Sequence, residues 1–577
     1  MTKNRYSGAE FRILLFLVGL ASAGPVSFTG TAGMYAEYGW VAGPGESLVA
    51  PRPELRFNVN PSLSVFGFPI GLNMLLSTQE NPLRQQLDKF KLFLNPRKWL
   101  ESQMNLSGFA LSFKTLELGS CNPSWTQYTL SGAPVFGGAV ELNPWYVYAA
   151  AAAGRNQRRV DVSDSTQGAY ARMLYSGRFG FGKKEGTHFY LTGLYAGDDT
   201  TPPANNWQPN PNDTTDTYEV VRPQENYVLG AEFNLDIAKG AFRLESEITG
   251  CEVTRDKRLP VEKWDWMPGW AANTIKPRMS SSADYAFKVK PVLNLLDTRV
   301  HGKVEMVGPG FQSFGAPGLR NDNLALGGGI ERNFIDNAVS VSLGYDDERD
   351  NLLRANATDS SGQVVRVLTL KSQTTRFTRW ETSVGLAFPN LPYLQVGYFP
   401  YTQATDSLDS MAQVTSTSET KGNCVSVSAG HSYQTGKLSH SPSVSVSYND
   451  VRGPASDSAD NTSWDASINY GLGFEFPLSL SATCGYSRSV PEATPDSADT
   501  RLYFDVSPSY TLFEKWTHSL SLGGTFDDAR RIDVRYSTSF PVWKICDGSA
   551  GISDGIYSGD DGKYSDLRLT AELNKSW

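Results

Sequence analysis

Long hydrophobic runs are missing from this sequence after residue 24. No later segment approaches the roughly 20 consecutive apolar residues that a membrane-spanning helix requires. The mean hydropathy of -0.33 reflects a fine mixture of apolar and polar residues. Because only helices and closed barrels satisfy every backbone hydrogen bond in hydrocarbon, a membrane location for this chain would require a β-barrel.

Cysteine and histidine are also scarce. The cysteines are odd in number, lie far apart and form no C-x-x-C pair, so the sequence predicts no metal centre and leaves open whether a disulfide forms. Two His-Ser neighbours occur, but adjacent strand residues point to opposite faces and cannot form a catalytic dyad. We therefore predict no enzymatic activity, no metal and no cofactor. The residues concerned are Cys121, Cys251, Cys424, Cys484 and Cys546, with His188, His301, His431, His440 and His518.

Positive charge is sparse as well. The chain has 52 Lys and Arg against 60 Asp and Glu, a formal net charge of -8, and no sustained basic run. This excludes a nucleic-acid partner, because phosphate neutralisation needs a basic face. Charged residues make up only 19% of the chain, whereas there are 53 Gly, 26 Tyr, 29 Phe and 13 Trp. This composition favours many strands joined by turns.

The first 23 residues have the features of an export signal. A basic front with Lys3, Arg5 and Arg12 precedes an apolar core at 13–20 and a small-residue cleavage site at 21–23. An apolar first strand is the alternative. The sequence thus predicts a signal peptide at 1–23 and one domain at 24–577, without a lipoprotein anchor.

Polarity alternates residue by residue in segments spread over the whole chain. In the last segment, Leu569, Ala571 and Leu573 fall on one face, and Thr570 and Glu572 fall on the other. A strand between lipid and water has this pattern. The candidate lumen-facing residues are Arg243, Glu245, Glu247, Lys288, Lys290, His301, Lys303, Glu305, Asp505 and Glu572. Their mixed signs predict a hydrated interior with cross-strand pairs and no strong ion selectivity.

The breaks between these segments alternate between short and long. Tight turns are expected near 67, 95–96, 143–144, 184–186, 239–240, 296–298, 336–337, 390, 435–436, 477, 514–515 and 545–548. Longer polar stretches lie near 40–52, 80–87, 112–133, 153–168, 196–224, 252–282, 311–322, 345–375, 402–422, 449–463, 486–500, 525–531 and 557–563. Short periplasmic turns and long extracellular loops are typical of outer-membrane barrels. The sequence therefore predicts an all-β fold, a single large antiparallel transmembrane β-barrel of about 26 strands (range about 22 to 26).

Several segments resemble bacterial outer-membrane β-barrel proteins. The terminal strand with Leu569, Ala571, Leu573 and Trp577 is similar to the final strand that the barrel-assembly machinery reads, so the resemblance implies that machinery as a partner during biogenesis. The stretches 137–144 (GGAVELNP) and 179–186 (FGFGKKEG) resemble large porin-like barrels of Bacteroidota and related phyla. A plug domain like that of TonB-dependent receptors is not expected, because alternation already begins at 28–38.

One long loop and two acidic stretches are candidate binding sites. The loop at 252–282 holds Trp264, Trp266 and Trp270, whose rings could stack on a sugar or anchor a partner. The alternatives are that they lie in the interfacial aromatic girdle or fix the loop in the lumen. The acidic stretches at 346–350 and 560–561 could gather calcium, but neither has EF-hand spacing, and solvated loops are the alternative.

The sequence predicts a porin-like channel or translocation pore in the outer membrane, surrounded by its lipid bilayer. Barrels of roughly 16–18 strands leave an aqueous channel and wider ones are usually plugged, so the lumen would be narrowed by loops or by a partner. The alternative is a closed structural or surface-binding barrel whose long external loops contact a partner or glycan. The solute, the plug or surface partner and the oligomeric state do not follow from the sequence.

Overall fold

The computed structural model describes residues 26–42, 54–65, 68–77, 90–94, 113–163, 167–210, 213–358, 364–369, 371–409, 411–454, 460–491, 498–513, 515–527, 530–542, 546–559 and 562–576. The predicted signal peptide at 1–23, the predicted turns at 67 and 95–96, the acidic pair at 560–561 and Trp577 lie outside these ranges.

The strands are numbered in chain order. The first sixteen are β1 (Val26–Ala42), β2 (Glu54–Val65), β3 (Phe68–Ser77), β4 (Phe90–Leu94), β5 (Phe113–Cys121), β6 (Val135–Leu142), β7 (Val147–Gln157), β8 (Arg172–Gly182), β9 (His188–Asp198), β10 (Trp207–Asn210), β11 (Asp213–Glu219), β12 (Glu225–Ile237), β13 (Phe242–Thr254), β14 (Ser281–Leu295), β15 (Thr298–Val307) and β16 (Asn323–Phe334). The others are β17 (Val339–Arg349), β18 (Arg354–Thr358), β19 (Val364–Thr369), β20 (Gln373–Leu386), β21 (Tyr393–Leu408), β22 (Val414–Gly430), β23 (Tyr433–Thr435), β24 (Leu438–Arg452), β25 (Asn461–Phe474), β26 (Leu478–Pro491), β27 (Asp499–Leu512), β28 (Trp516–Phe526), β29 (Arg530–Val542), β30 (Cys546–Gly559) and β31 (Gly562–Ser576).

One antiparallel sheet contains all of these strands except the two hairpins β10–β11 and β18–β19. Neighbours along the chain pair with each other, β9 joins β12, and β17 joins β20. The three-residue β23 pairs with β24 just after β22 ends, so the sheet has 26 antiparallel positions. The ring closes because β1 pairs with both β2 and β31, with Thr31 opposite Ser576. The chain is a single antiparallel β-barrel, and the predicted fold class and strand number are confirmed.

Alternate residues of each strand face opposite sides of the barrel wall. In β8, the side chains of Phe179 and Phe181 are 52% and 59% exposed. Leu174 and Arg178, which point to the opposite side of the same strand, are buried. Large exposed apolar side chains recur at alternate positions around the ring, from Trp40 in β1 to Leu573 in β31. These residues define the outward face, and most charged and hydroxylic strand residues lie on the inward face.

Left-handed backbone conformations mark the turns at one end of the barrel. Lys239, Leu296, Asn337, Asn390 and Gly436 have φ between 53° and 69°. Glycine adopts this conformation without strain, and asparagine tolerates it better than most residues. All five residues lie in turns that the sequence predicts, so local turn chemistry fixes the short-turn end.

Several strands lie in or extend into regions that the sequence pattern assigned to loops. Expected loops covered 112–133, 345–375 and 402–422, but β5 begins at Phe113, β17 continues to Arg349, and only residues 409–413 separate β21 from β22. The prediction was wrong because alternation disappears where both faces of a strand meet water, although backbone pairing continues. Thr402 still pairs with Lys421 in such a polar ladder.

Two connections at the loop end fold onto the inward face. The first insert, residues 122–134, joins β5 to β6, and the second insert, residues 308–322, joins β15 to β16. Their side chains Tyr128, Leu130 and Phe311 are at most 1% exposed and form the centre of the main apolar cluster. The core therefore lies inside the barrel, against β6–β9 and β12–β15.

Helix contributes little to the described part of the chain. It comprises a single 3-10 turn at Ala238–Gly240 and a short α-helix at Gly269–Ile275 in the loop between β13 and β14. None of the helices in the described ranges has the length and apolar character needed to cross a membrane.

Candidate functional site

The two inserts cover one side of the lumen only. In the described ranges, every buried side chain except that of Pro61 lies between Ser120 and Asn351. After Asn351, the described residues that are buried are all glycines. The inserts contact each other, since Ser131 N donates to Gly315 O at 2.8 Å and Ser313 Oγ donates to Thr129 O at 2.7 Å. They form one unit that fills the lumen beside β6–β9 and β12–β15, and no described residue outside the wall itself covers the stretch from β20 to β31.

A buried ion pair fixes the first insert to this wall. Arg178 in β8 donates from Nη2 to Glu232 Oε2 at 2.8 Å and from Nη1 to Trp125 O at 2.9 Å. The guanidinium also lies 4.6 Å from the ring centroid of Tyr190. His188 shares Glu232, with 2.7 Å between His188 Nε2 and Glu232 Oε1. Such a charge pair is strongly destabilising to break, because the remaining charge stays buried.

A second anchor uses residues that the sequence assigns to the lumen. Lys288 Nζ lies 2.6 Å from Glu245 Oε1 and 3.5 Å from Glu247 Oε2. Glu247 accepts a hydrogen bond from Tyr128 N at 3.3 Å, while Lys288 donates to Gln127 Oε1 at 3.3 Å. These charges hold the insert in place, a role that the sequence pattern did not suggest.

The other candidate lumen residues also lie on the inward face, mostly in pairs of opposite charge. Lys290 and Lys303 approach Glu305 at 3.8 and 3.9 Å, and Arg243 bonds to Asp236 at 3.1 Å. His301 lies 3.9 Å from Glu331. In the uncovered part, Asp505 accepts hydrogen bonds from Ser507 and Ser521 at 2.5 and 2.7 Å, and Glu572 accepts one from Asn574 at 2.8 Å. A role in the passage of solute stays a prediction for all of them.

The uncovered wall carries a field of hydroxyl groups, which we call the serine wall. Its members alternate with outward apolar residues such as Val446, Ile468 and Leu520. The serine wall comprises Ser439, Ser441, Ser443, Ser445 and Ser447 of β24, Ser463 and Ser467 of β25, Ser479 and Ser481 of β26, Ser507 and Ser509 of β27, Ser519 and Ser521 of β28, and Ser537 and Ser539 of β29.

The register of the sheet aligns these serines in rows around the barrel. Ser479 lies opposite Ser509, Ser509 opposite Ser519, and Ser519 opposite Ser537. Part of the wall lines a groove of about 410 Å³ near the short-turn end. Sequence reasoning missed this surface because it searched the inward face for charge. The Ser-x-Ser repeats at 439–447, 479–481, 507–509, 519–521 and 537–539 were the available signal.

The loop with the tryptophans, residues 255–280 and here called the Trp loop, packs against the outward face of the barrel. Trp266 is 69% exposed and stacks on Trp264 with a centroid distance of 5.4 Å. The side chain of Trp270 lies outside the described part. Of the predicted assembly signal, Leu569, Ala571 and Leu573 lie exposed on the outward face of β31.

The acidic residues at 346–350 are in ion pairs. Asp346 and Asp347, which lie in β17, pair with Arg379 and Arg376 at 3.2 and 2.8 Å. Asp350 pairs with Lys371 at 2.8 Å. No cluster of three or more potential metal ligands occurs in the residues that the structure describes. The five cysteines are in the reduced, thiol form.

No protein-family model matches the sequence, and no curated protein matches it either. Among solved structures, OpdK of Pseudomonas aeruginosa with vanillate aligns at a TM-score of 0.29 and 9% identity, covering 62% of this chain and 93% of OpdK. OccK9 (OpdG) of the same organism aligns at 0.29 and 12%, covering 70% and 98%. The outer membrane channel DcaP of Acinetobacter baumannii aligns at 0.27 and 15%, covering 51% and 87%. The fold assignment rests on the strand pairing of this chain and not on these low-scoring similarities.

Proposed function

We propose that this chain is an outer-membrane channel that passes small polar solutes along the serine wall. The observation that supports the proposal is a closed ring of 26 strand positions whose described inserts cover only one side. Barrels of roughly 16–18 strands already enclose an aqueous channel. A wider barrel whose described inserts cover only the wall at β6–β9 and β12–β15 retains room for water beside the rest of its inner wall.

The chemistry of the serine wall indicates the class of solute. Hydroxyl groups both donate and accept hydrogen bonds and carry no charge. Two pairs bond to each other, Ser445 with Ser467 at 2.7 Å and Ser509 with Ser519 at 3.2 Å, so at these positions a solute would exchange one hydroxyl partner for another. Uncharged polar molecules such as sugars fit this lining better than ions do, and we expect weak ion selectivity.

Planar-bilayer conductance of the refolded mature chain tests the proposal, with a heat-modifiability gel to establish that the barrel has formed. We expect stable conductance steps with a reversal potential near zero, and swelling of proteoliposomes in uncharged sugars. A folded barrel that neither conducts nor admits sugars would refute the proposal.

A matched pair of variants in β27 locates the pathway. Ser507→Cys places a thiol on the inward face, and Val506→Cys places one on the outward face one residue away. A membrane-impermeant thiol reagent should reduce the conductance of the first variant and leave that of the second at the level of the reagent-treated parent. Equal effects on both variants would mean that solute does not pass the serine wall.

A second candidate function is surface binding by the external loops. Arg258 of the Trp loop bonds to Glu219 of the preceding loop at 2.7 Å, and Lys257 Nζ donates to Asp198 O at 2.7 Å. Trp207 and Val261 remain 60% and 58% exposed on these linked loops. If binding is the function, deleting the hairpin 207–219 should abolish adhesion to a glycan array and leave conductance unchanged.

A further inference from the structure

An apolar cleft of about 840 Å³ lies between the Trp loop and the outward face of the barrel. This volume falls within the roughly 300–1,000 Å³ of typical ligand pockets. The cleft is separate from the lumen, because its floor is built from outward residues of β9, β12, β13 and β14. The proposed channel does not use it.

The floor consists of two rows of residues that the register places side by side. The deeper row runs Gly193, Leu229, Gly250, Tyr285 across the four strands. Its two glycines make a trough on either side of Leu229, and a Cβ added at Gly193 would meet no atom within 4 Å. The row nearer the loop end contains Tyr227, Glu252 and Ala283.

The roof is formed by the Trp loop. Trp266, Met267 and Pro268 lead into the short helix Gly269–Ile275, which adds Ala271 and Ile275 to the lining. Below the floor, the outward face of the barrel continues with Ile248, which is 58% exposed.

One buried polar group faces this apolar space. Glu252 lines the cleft and is 3% exposed. Its Oε1 accepts a hydrogen bond from Thr254 Oγ1 at 2.7 Å, whereas Oε2 has no hydrogen-bond partner among the described residues. A buried carboxylate oxygen without a partner is unfavourable unless a ligand supplies a donor.

The Trp loop also has an excess of positive charge. Residues 255–280 contain six basic residues (Arg255, Lys257, Arg258, Lys263, Lys276, Arg278) and three acidic ones (Asp256, Glu262, Asp265), a net charge of +3 in a chain of net charge -8. Basic segments at a membrane surface attract lipid phosphate groups. Two of these basic residues, Arg258 and Arg278, pair with Glu219 and Glu225 outside the loop, so the upper edge of the cleft combines a hydrogen-bond acceptor with a loop that keeps a small positive charge.

We propose that this cleft binds one lipid of the outer leaflet, with an acyl chain in the trough and a donor-bearing head group at Glu252. The inference rests on the proposed membrane location. The apolar trough lies about two strand residues, roughly 7 Å, deeper than Glu252, which matches the order of tail and head group in a leaflet. Two probe lipids distinguish the requirement for a donor: the ammonium group of phosphatidylethanolamine can donate to Glu252, and the quaternary nitrogen of phosphatidylcholine cannot.

Native mass spectrometry of the refolded mature chain, titrated with each of these two lipids in detergent, tests the proposal. We expect one tightly retained phosphatidylethanolamine and weaker retention of phosphatidylcholine. Gly193→Leu fills the trough and should weaken retention about tenfold or more, because it replaces an apolar contact the size of a leucine side chain. Glu252→Gln removes the carboxylate and should reduce the preference between the two lipids.

Gly177→Leu is the matched control for the trough variant. Gly177 is the outward residue of β8 that pairs with Gly193, it does not line the cleft, and a Cβ there meets only Ala150 O at 4.0 Å. Lipid retention by Gly177→Leu should equal that of the parent chain. Equal retention by the parent and Gly193→Leu would overturn the proposal.

The competing occupant is a second copy of this chain. Light scattering that shows an oligomer dissociating to monomers in Gly193→Leu, without loss of bound lipid, would also overturn the proposal. Conductance of each variant keeps this inference distinct from the proposed function. A conducting parent chain that binds no lipid refutes the cleft alone, whereas a chain that never inserts refutes the channel.

Discussion

The anchor at Arg178 allows a quantitative test of how the lumen is filled. Arg178→Met keeps much of the side-chain volume but removes the ion pair with Glu232 and the hydrogen bond to Trp125 O. The side chains of Arg178 and Glu232 are 2% and 13% exposed, so the variant leaves a buried carboxylate short of its partner. Breaking a pair of this kind should lower the free energy of unfolding by about 3–5 kcal/mol.

Arg376→Met is the matched control. Arg376 also joins a carboxylate on the neighbouring strand, with both nitrogen contacts to Asp347 at 2.8 Å, but it lies on the outward face with 58% of its side chain exposed. An exposed pair is worth at most about 1 kcal/mol. Urea titration of the refolded barrels, read from the heat-modifiable band on gels, measures both variants under one condition.

The two variants should differ in function as well as in stability. Release of Trp125 loosens the first insert from β8, so single-channel current in Arg178→Met should show larger or more variable steps than in Arg376→Met. The double variant with Glu232→Met should recover much of the lost stability, because no unpaired charge remains. Equal urea midpoints for the two single variants would refute the assigned anchor role.

Three further predictions follow from other parts of the barrel. Ser507→Asp should shift the reversal potential in a salt gradient towards cation selectivity, whereas an unchanged potential would contradict a pathway along the serine wall. The hydrogen bond from Arg258 holds the pKa of Asp256 below its usual value of 3.8. Protection of the Trp loop from a protease active in acid should therefore persist above about pH 4 and fall as the pH drops through the lowered pKa, and Asp256→Asn should remove this dependence. Gly137→Ala should destabilise the barrel by about 1–3 kcal/mol in urea titrations because the new Cβ would lie 2.0 Å from Ala153 O, while Gly193→Ala should be tolerated.

The strand number followed from the sequence because its signals are local. Alternation reports the two faces of a single strand, and residues such as Asn337 and Gly436 report the adjacent turn. The polar extensions of β21 and β22 escaped this reasoning because both of their faces are in water. A ladder such as that from Thr402 to Asp406 is visible only once the partner strand is in place.

The arrangement of the lumen could be predicted less well. Alternation predicted that Lys288 faces the lumen. It could not predict the hydrogen bond from Lys288 to Gln127, because Gln127 lies in a segment far away in the sequence. A loop that enters the lumen and one that packs on the outer wall have similar compositions. The first insert and the Trp loop both combine tryptophan with polar residues, and only the strands beside them determine which face each one covers.

The confinement of both inserts to one side bears on how the barrel assembles. Their contacts reach from Cys121 to Lys371, which pairs with Asp322 of the second insert, and do not involve the seam, where Thr31 meets Ser576 from the opposite end of the chain. An open, curved sheet of the strands before β20, with the segment that carries Lys371, is therefore sufficient to dock both inserts. The contacts of the filled side can therefore all be made before β31 returns to β1 and closes the ring.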